Sequence, residues 1–238
     1  MGMKIIYLLL TFVFGIAGGI FADQILWPYF IERPLFYQYR LDQPSVYVTE
    51  RKEVIIQENT ALEEAVDKVS KTVVGVKTKL KNGGILEGSG IVITNDGLVV
   101  TLAELVPQGE VFSFFLEGKS YAFQVLKRDL KENLALIKLE VDYSTTIGFA
   151  DSGELKLGER VFAISYRFGK DGSQMIVNEG IIKAISADKI ETNILEESAF
   201  NGSPVFNIEG EIIGLAELGL EGNVQAIPIS VIKSFTGF

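Results

Sequence analysis

From residue 72 to residue 227 the sequence is a succession of short apolar runs broken by turn residues, and that rhythm restricts the fold more than any other feature. Runs at 72–76, 85–94, 98–101, 111–116, 121–126, 134–139, 160–165, 175–185, 205–208, 211–217 and 224–227 read as strands. Asp96-Gly97 between two of them marks a hairpin, because glycine accepts the positive φ that tight turns need. Strands this closely spaced build a sandwich or barrel, not a sheet of alternating strands and helices. Helical periodicity is confined to two short segments. Leu62, Ala65, Val66 and Val69 share one face after Asn59 or Thr60 as N-cap, and Pro228 opens a short helix through Phe235.

The N-terminus follows a different rule. Residues 5–22 carry no charge and lie between Lys4 and Asp23. As a helix they would reach roughly 27 Å, enough to cross a hydrocarbon core. A cleaved secretory signal is the competing reading. It is weakened by the length of the apolar run and by Ile20, which stands where a cleavage after Ala22 needs a small residue. Trp27, Tyr29 and Phe30 are interfacial aromatics. We therefore expect residues 1–26 to be an uncleaved single-pass anchor in the cell membrane. Lys4 favours a cytoplasmic N-terminus, with the rest of the chain extracytoplasmic. Gly15 and Gly19 match a helix-pairing pattern, although glycine is common enough in membrane helices for chance to supply it. Residues 27–58 mix aromatics, prolines and charges without a period and read as a juxtamembrane arm.

Composition removes several functions. A net charge of -9 is the wrong sign for a nucleic-acid partner. The 238 residues include no cysteine and no histidine, and no acidic run has calcium-loop spacing. Neither a metal nor another cofactor is expected.

Several motifs occur in a meaningful order. Gly88-Ser89-Gly90-Ile91-Val92-Ile93-Thr94-Asn95-Asp96-Gly97-Leu98-Val99-Val100-Thr101 precedes Leu102-Ala103-Glu104-Leu105-Val106. Asp129-Leu130-Lys131-Glu132-Asn133-Leu134-Ala135-Leu136-Ile137-Lys138 follows. Next come Phe149-Ala150-Asp151-Ser152 and Leu157-Gly158-Glu159-Arg160-Val161-Phe162-Ala163-Ile164. Ala199-Phe200-Asn201-Gly202-Ser203-Pro204-Val205, the segment 207–214 and Ala226-Ile227-Pro228 complete the series. In this order they resemble the HtrA/Deg type of trypsin-like serine protease over residues 59–236. The resemblance implies an all-β fold of two antiparallel β-barrels, about 70–145 and 146–238, preceded by the transmembrane helix. Because the sequence stops just after this stretch, the PDZ domain that many members of the family carry is not expected.

The same resemblance aligns the family's general-base His with Glu104, its orienting Asp with Asn133 and its nucleophilic Ser with Asn201. Without an imidazole the family's activation of serine is impossible. Two carboxamides and one carboxylate can satisfy one another as donors and acceptors. They do not make an acyl-transfer site, and no catalytic residue is expected. Ala199 and Ser203 replace glycines of the family's oxyanion turn, and a Cβ would be resisted wherever that turn needs positive φ. Ser198, Ser203 and Thr101 are nearby hydroxyls, read as capping or solvent-facing groups.

The expected function is that of an inactive, membrane-anchored relative. It would bind a peptide or protein at a degenerate cleft around Ala199, Asn201, Gly202 and Ser203, or assemble with an active relative. An active endopeptidase with an unrecognised nucleophile and a purely structural oligomerisation module are the alternatives. Because the family trimerises through an N-terminal aromatic segment, Tyr29, Phe30, Phe36, Tyr37 and Tyr39 imply a homo-oligomer by the same route.

Overall fold

A computed structural model describes residues 2–27, 58–141, 147–170 and 172–237. The chain divides into two compact units, residues 1–55 and 56–238. In the first, helix α1 (Gly2–Phe21) continues through one π-helical turn, Ala22–Leu26. Among the described residues this is the one helix long and apolar enough to cross a membrane, with a mean hydropathy of 2.4. Thr11 in the apolar run returns its hydroxyl to the carbonyl of Tyr7 at 2.9 Å, which pairs that donor within the helix. The arm expected at 27–58 lies outside the described residues, apart from its ends.

The second unit is mostly β, with two barrel-like sheets. Helix α2 (Glu58–Val69) precedes it. The helix is already formed at Glu58, so Asn59 and Thr60 lie in its first turn and neither is the N-cap expected from the sequence. Its apolar face packs as anticipated, with Ala65 and Val69 buried and Leu62 and Val66 against the core.

The first sheet uses β1 (Val73–Lys79), β2 (Ile85–Val92), β3 (Leu98–Leu102), β4 (Val111–Leu116), β5 (Lys119–Tyr121), β6 (Phe123–Asp129) and β7 (Leu134–Leu139). Their order is β5-β4-β1-β2-β3-β7-β6, a half-barrel whose edge strands are consecutive in sequence. The run expected at 121–126 is thus split at Ala122. Its first part pairs with β4 and its second with β7. Of the aromatics expected in this barrel, Phe114 is fully buried, and Phe112 and Phe123 pack on it at 6.1 and 4.9 Å between ring centres.

The second sheet is built from β8 (Gly148–Phe149), β9 (Arg160–Gly169), β10 (Gly172–Ile185), β11 (Ile190–Leu195), β12 (Pro204–Asn207), β13 (Glu211–Leu218) and β14 (Asn223–Pro228). It runs β12-β9-β10-β11-β14-β13, and β12 also pairs with β13, which closes a barrel. Short β8 joins β13 in parallel. Helix α3 (Ile229–Thr236) follows Pro228 and buries Ile229, Ile232 and Phe235. Its end is capped by Gly237 at φ 87°, whose N–H returns to Lys233.

Candidate functional site

The site lies where the two barrels meet. Glu104 sits in a single 3-10 turn, Ala103–Leu105, at the end of β3. Asn133 sits in the turn between β6 and β7 with φ 52°, a left-handed conformation that asparagine tolerates better than most residues. Its backbone carbonyl accepts from the N–H of Ala103 at 3.0 Å, and its side-chain oxygen accepts from the N–H of Glu104 at 3.1 Å. The Asn133 amide then donates to Glu217 Oε1 at 2.9 Å. Asn201 is tied to the next residue along β13: its Oδ1 accepts from the N–H of Leu218 at 3.0 Å. Glu217 and Leu218 therefore hold one asparagine from each barrel, and Glu104 and Asn201 line a common cavity of about 190 Å3 with Leu86, Leu105 and Ser198. Glu104 is thus bonded to Asn133 and shares a cavity with Asn201.

Glu217 and Lys189, 4.0 Å apart, are neighbours of the site that the sequence did not indicate. No local pattern marks them, because only the pairing of Glu217 with Gln225 and of Glu191 with Gln225 brings their strands together.

Partial burial and the nearby negative charge of Glu217 raise the pKa of Glu104, against a lowering by its hydrogen bond to Asn133. A carboxyl raised in the folded state binds its proton more tightly there than when unfolded. Its contribution to stability is neutral below the unfolded value, and stability falls as pH rises through the interval from about 4.5 upward. Glu104→Gln should consequently raise the melting temperature at pH 7 and leave it unchanged at pH 3. An equal effect at both pH values would assign the change to packing. Exposure of the side chain limits the size of the effect.

The turn after β11 is a 3-10 turn, Ser198–Phe200. Within it the N–H of Phe200 bonds to Glu197 and the N–H of Asn201 bonds to the carbonyl of Ser198 at 3.1 Å. The turn places its positive φ at Gly202 alone, at 74°. A Cβ at Gly202 would press into the carbonyl oxygen of Ser89. Ala199 and Ser203 have negative φ, so the resistance expected at those two positions is absent.

The hydroxyls are mostly structural. Thr101 is buried and donates to the carbonyl of Ser89 at 2.6 Å. Ser89 and Ser165 join the barrels through their hydroxyls, 3.2 Å apart. Ser165 spends its proton on the carbonyl of Ala199, so Ser89 is the donor of the pair, and Ser89 Oγ accepts from the N–H of Tyr166 at 3.0 Å. The N–H of Ser89 bonds to the carbonyl of Asn201 at 2.9 Å. Ser198 alone among the candidate hydroxyls reaches the cavity.

Ser203 is fully buried, and its hydroxyl has no hydrogen-bond partner among the described residues. Removing an unpaired buried oxygen relieves its desolvation cost, so Ser203→Ala should stabilise the protein by about 1 kcal/mol in denaturant titration. A loss of similar size would show that the hydroxyl is paired in solution. Among the described residues no group of three acidic side chains is placed to hold a metal ion.

Residues 88–215, more than half of the chain, match the family model described as a trypsin-like peptidase domain. A "Probable periplasmic serine endoprotease DegP-like" of Halomonas elongata is 33% identical over 159 residues, covering 60% of this chain and 33% of that protein. Proteins of the same description from Hahella chejuensis and Rhizobium meliloti are 30% and 31% identical over 159 and 163 residues. They are covered over 33% and 32% of their length, so the chain spans about a third of the curated relatives it matches. Two barrel-like sheets, a cleft between them and this match over both sheets lead to one assignment: the chain belongs to the trypsin-like peptidase domain family.

Proposed function

We propose that this protein is a membrane-anchored, extracytoplasmic relative of the HtrA/Deg proteases that binds peptide or protein segments at its cleft without cutting them. The observation that carries the reading is the state of residue 201. Its side chain is an amide engaged with the N–H of Leu218, and its own N–H is turned onto Ser198. An acyl-transfer site needs a nucleophile and a base at this place, together with N–H donors directed outward to the developing oxyanion. Here Asn201 is not a nucleophile, Glu104 and Asn133 stand at the positions the family gives to its His and Asp, and the chain has no histidine. Among the described residues no serine hydroxyl is hydrogen-bonded to the Glu104 carboxylate, so it is not placed to act as the base in place of imidazole.

Support for the location comes from the apolar helix α1 and from the periplasmic description of the relatives. The cavity beside Glu104 and Asn201, with Leu86 and Leu105 in its wall, supplies apolar surface for a bound side chain.

The test is capture of a mixed peptide library by the full chain in detergent, with bound and unbound peptides sequenced by mass spectrometry. Enrichment of intact peptides is expected, and Ile85→Asp at the exposed rim of the cavity should abolish it. New peptide termini, or covalent labelling of Ser198 by a serine-directed phosphonate, would show an enzyme. Absence of any enrichment would leave the architectural role as the correct one.

A further inference from the structure

Two surface features of opposite chemistry remain unused by the site. On the first barrel, Pro107, Val125, Leu126, Arg128 and Leu130 line a groove of about 670 Å3 that Glu104 also lines. Leu126 and Leu130 are 47% and 83% exposed. The Arg128 guanidinium stands over the Phe112 ring at 5.8 Å, and its Nε is buried without a hydrogen-bond partner. Among the described residues no carboxylate forms a salt bridge with it, although acidic residues outnumber basic ones by 31 to 22. Lys127, by contrast, is committed to the carbonyl and ring of Phe235. A half-buried cation without a partner costs stability, and an incoming carboxylate would remove that cost.

On the second barrel the β13–β14 hairpin ends in a turn whose Gly222 N–H returns to Gly219 at 3.1 Å, which leaves Leu220 and Glu221 at the tip. Leu220 is completely exposed and Leu195 is 65% exposed. Leu195 pairs opposite Asn223, and the following N–H of Glu196 bonds to Gly222 at 2.8 Å, so both leucines belong to one rigid projection. Glu197 and Glu221 edge it, both exposed. Neither has a cationic partner among the described residues.

We propose that the projection of one copy seats in the groove of a second copy, with Leu220 and Leu195 against Val125, Leu126 and Leu130, and Glu221 or Glu197 paired with Arg128. Complementary charge selects this occupant: an apolar knob edged by unpaired carboxylates meets an apolar groove holding an unpaired guanidinium. Each copy carries both halves, so every copy can both offer and receive this contact. Because Glu104 lines both the groove and the cleft cavity, the contact also crowds the cleft. The inference does not rest on the cleft being non-catalytic.

A chain without cysteine allows a direct test in the full-length protein in detergent micelles. Leu130→Cys and Leu220→Cys chains, mixed under mild oxidation, should give a heterotypic disulfide at least tenfold above the homotypic product of either alone. Adding Arg128→Glu to the first chain should abolish it, and adding Glu221→Arg to the second should restore it at least in part. Melting temperatures of the variants confirm that each is folded, and Leu220→Asp at the exposed tip gives a second disruption that leaves the core untouched. No heterotypic product, a dominant Leu220→Cys homodimer, or indifference to Arg128→Glu would overturn the proposal. So would a wild-type chain that sediments as single copies at all concentrations while a foreign acidic peptide binds in an Arg128-dependent manner.

Discussion

Full-length protein incubated with an unfolded protein or a fluorogenic peptide library is expected to produce no cleavage above the buffer blank. Loss of a complete acyl-transfer triad costs on the order of a millionfold in turnover, which places residual activity below ordinary detection. The more demanding form of the prediction concerns repair. Glu104→His, Asn133→Asp and Asn201→Ser together should still fall roughly a hundred- to thousandfold short of an active relative, because the oxyanion donors are not restored. The obstacle is the 3-10 turn that consumes the N–H of residue 201, and not the Cβ atoms of Ala199 and Ser203, whose φ values are ordinary. Turning the peptide between Ser198 and Ala199 outward would free that N–H, and Ala199→Gly added to the triple variant should make the rearrangement easier. A triple variant with full activity would show that the turn rearranges without help. Turnover by the wild-type chain that is abolished by Ser198→Ala would end the non-catalytic reading.

Alkaline carbonate extraction should leave essentially all of the full-length protein in the membrane pellet, and deletion of residues 2–26 should move essentially all of it to the supernatant. Such a complete change follows from the helix itself. Within Gly2–Leu26 residues 5–22 carry no charge, and a spanning helix is not released by stripping peripheral contacts. Protease added outside intact spheroplasts should degrade residues 58–238. Recovery of a soluble product beginning near Asp23 would identify the segment as a cleaved signal, and protection until lysis would reverse the orientation.

Strand positions were legible wherever apolar runs end at turn residues: β4 and β7 occupy the runs expected at 111–116 and 134–139. The break at Ala122 was not, because a bend that lets one run serve two neighbours leaves no mark in a period-two pattern. Two-residue β8 is held by pairing with β13 and has no pattern of its own. The site was legible as positions on motifs: Glu104 bonds to Asn133 and lines one cavity with Asn201. Its wiring was not. That Asn133 and Asn201 use successive residues of β13 depends on the register of the second barrel, and the handedness of the turn at 198–203 depends on which peptide N–H finds which carbonyl. Both are properties of the assembled sheets.

The hydroxyl bridge from Ser89 through Ser165 to Ala199 bears on the order in which the protein folds. Ser89 and Ser165 are 76 residues apart, and the Asn133–Glu217 bond spans 84. Contacts this distant carry a large loop-closure cost until both sheets exist, so they form late on the folding route. The cleft is then the last region to become ordered. Leu218 is only half-buried, and amide exchange there should outpace exchange at the fully buried strand positions Val100 and Leu215. A region assembled late from both ends of a long chain segment is also one where sequence change is felt in the rate of maturation before it is felt in the finished structure.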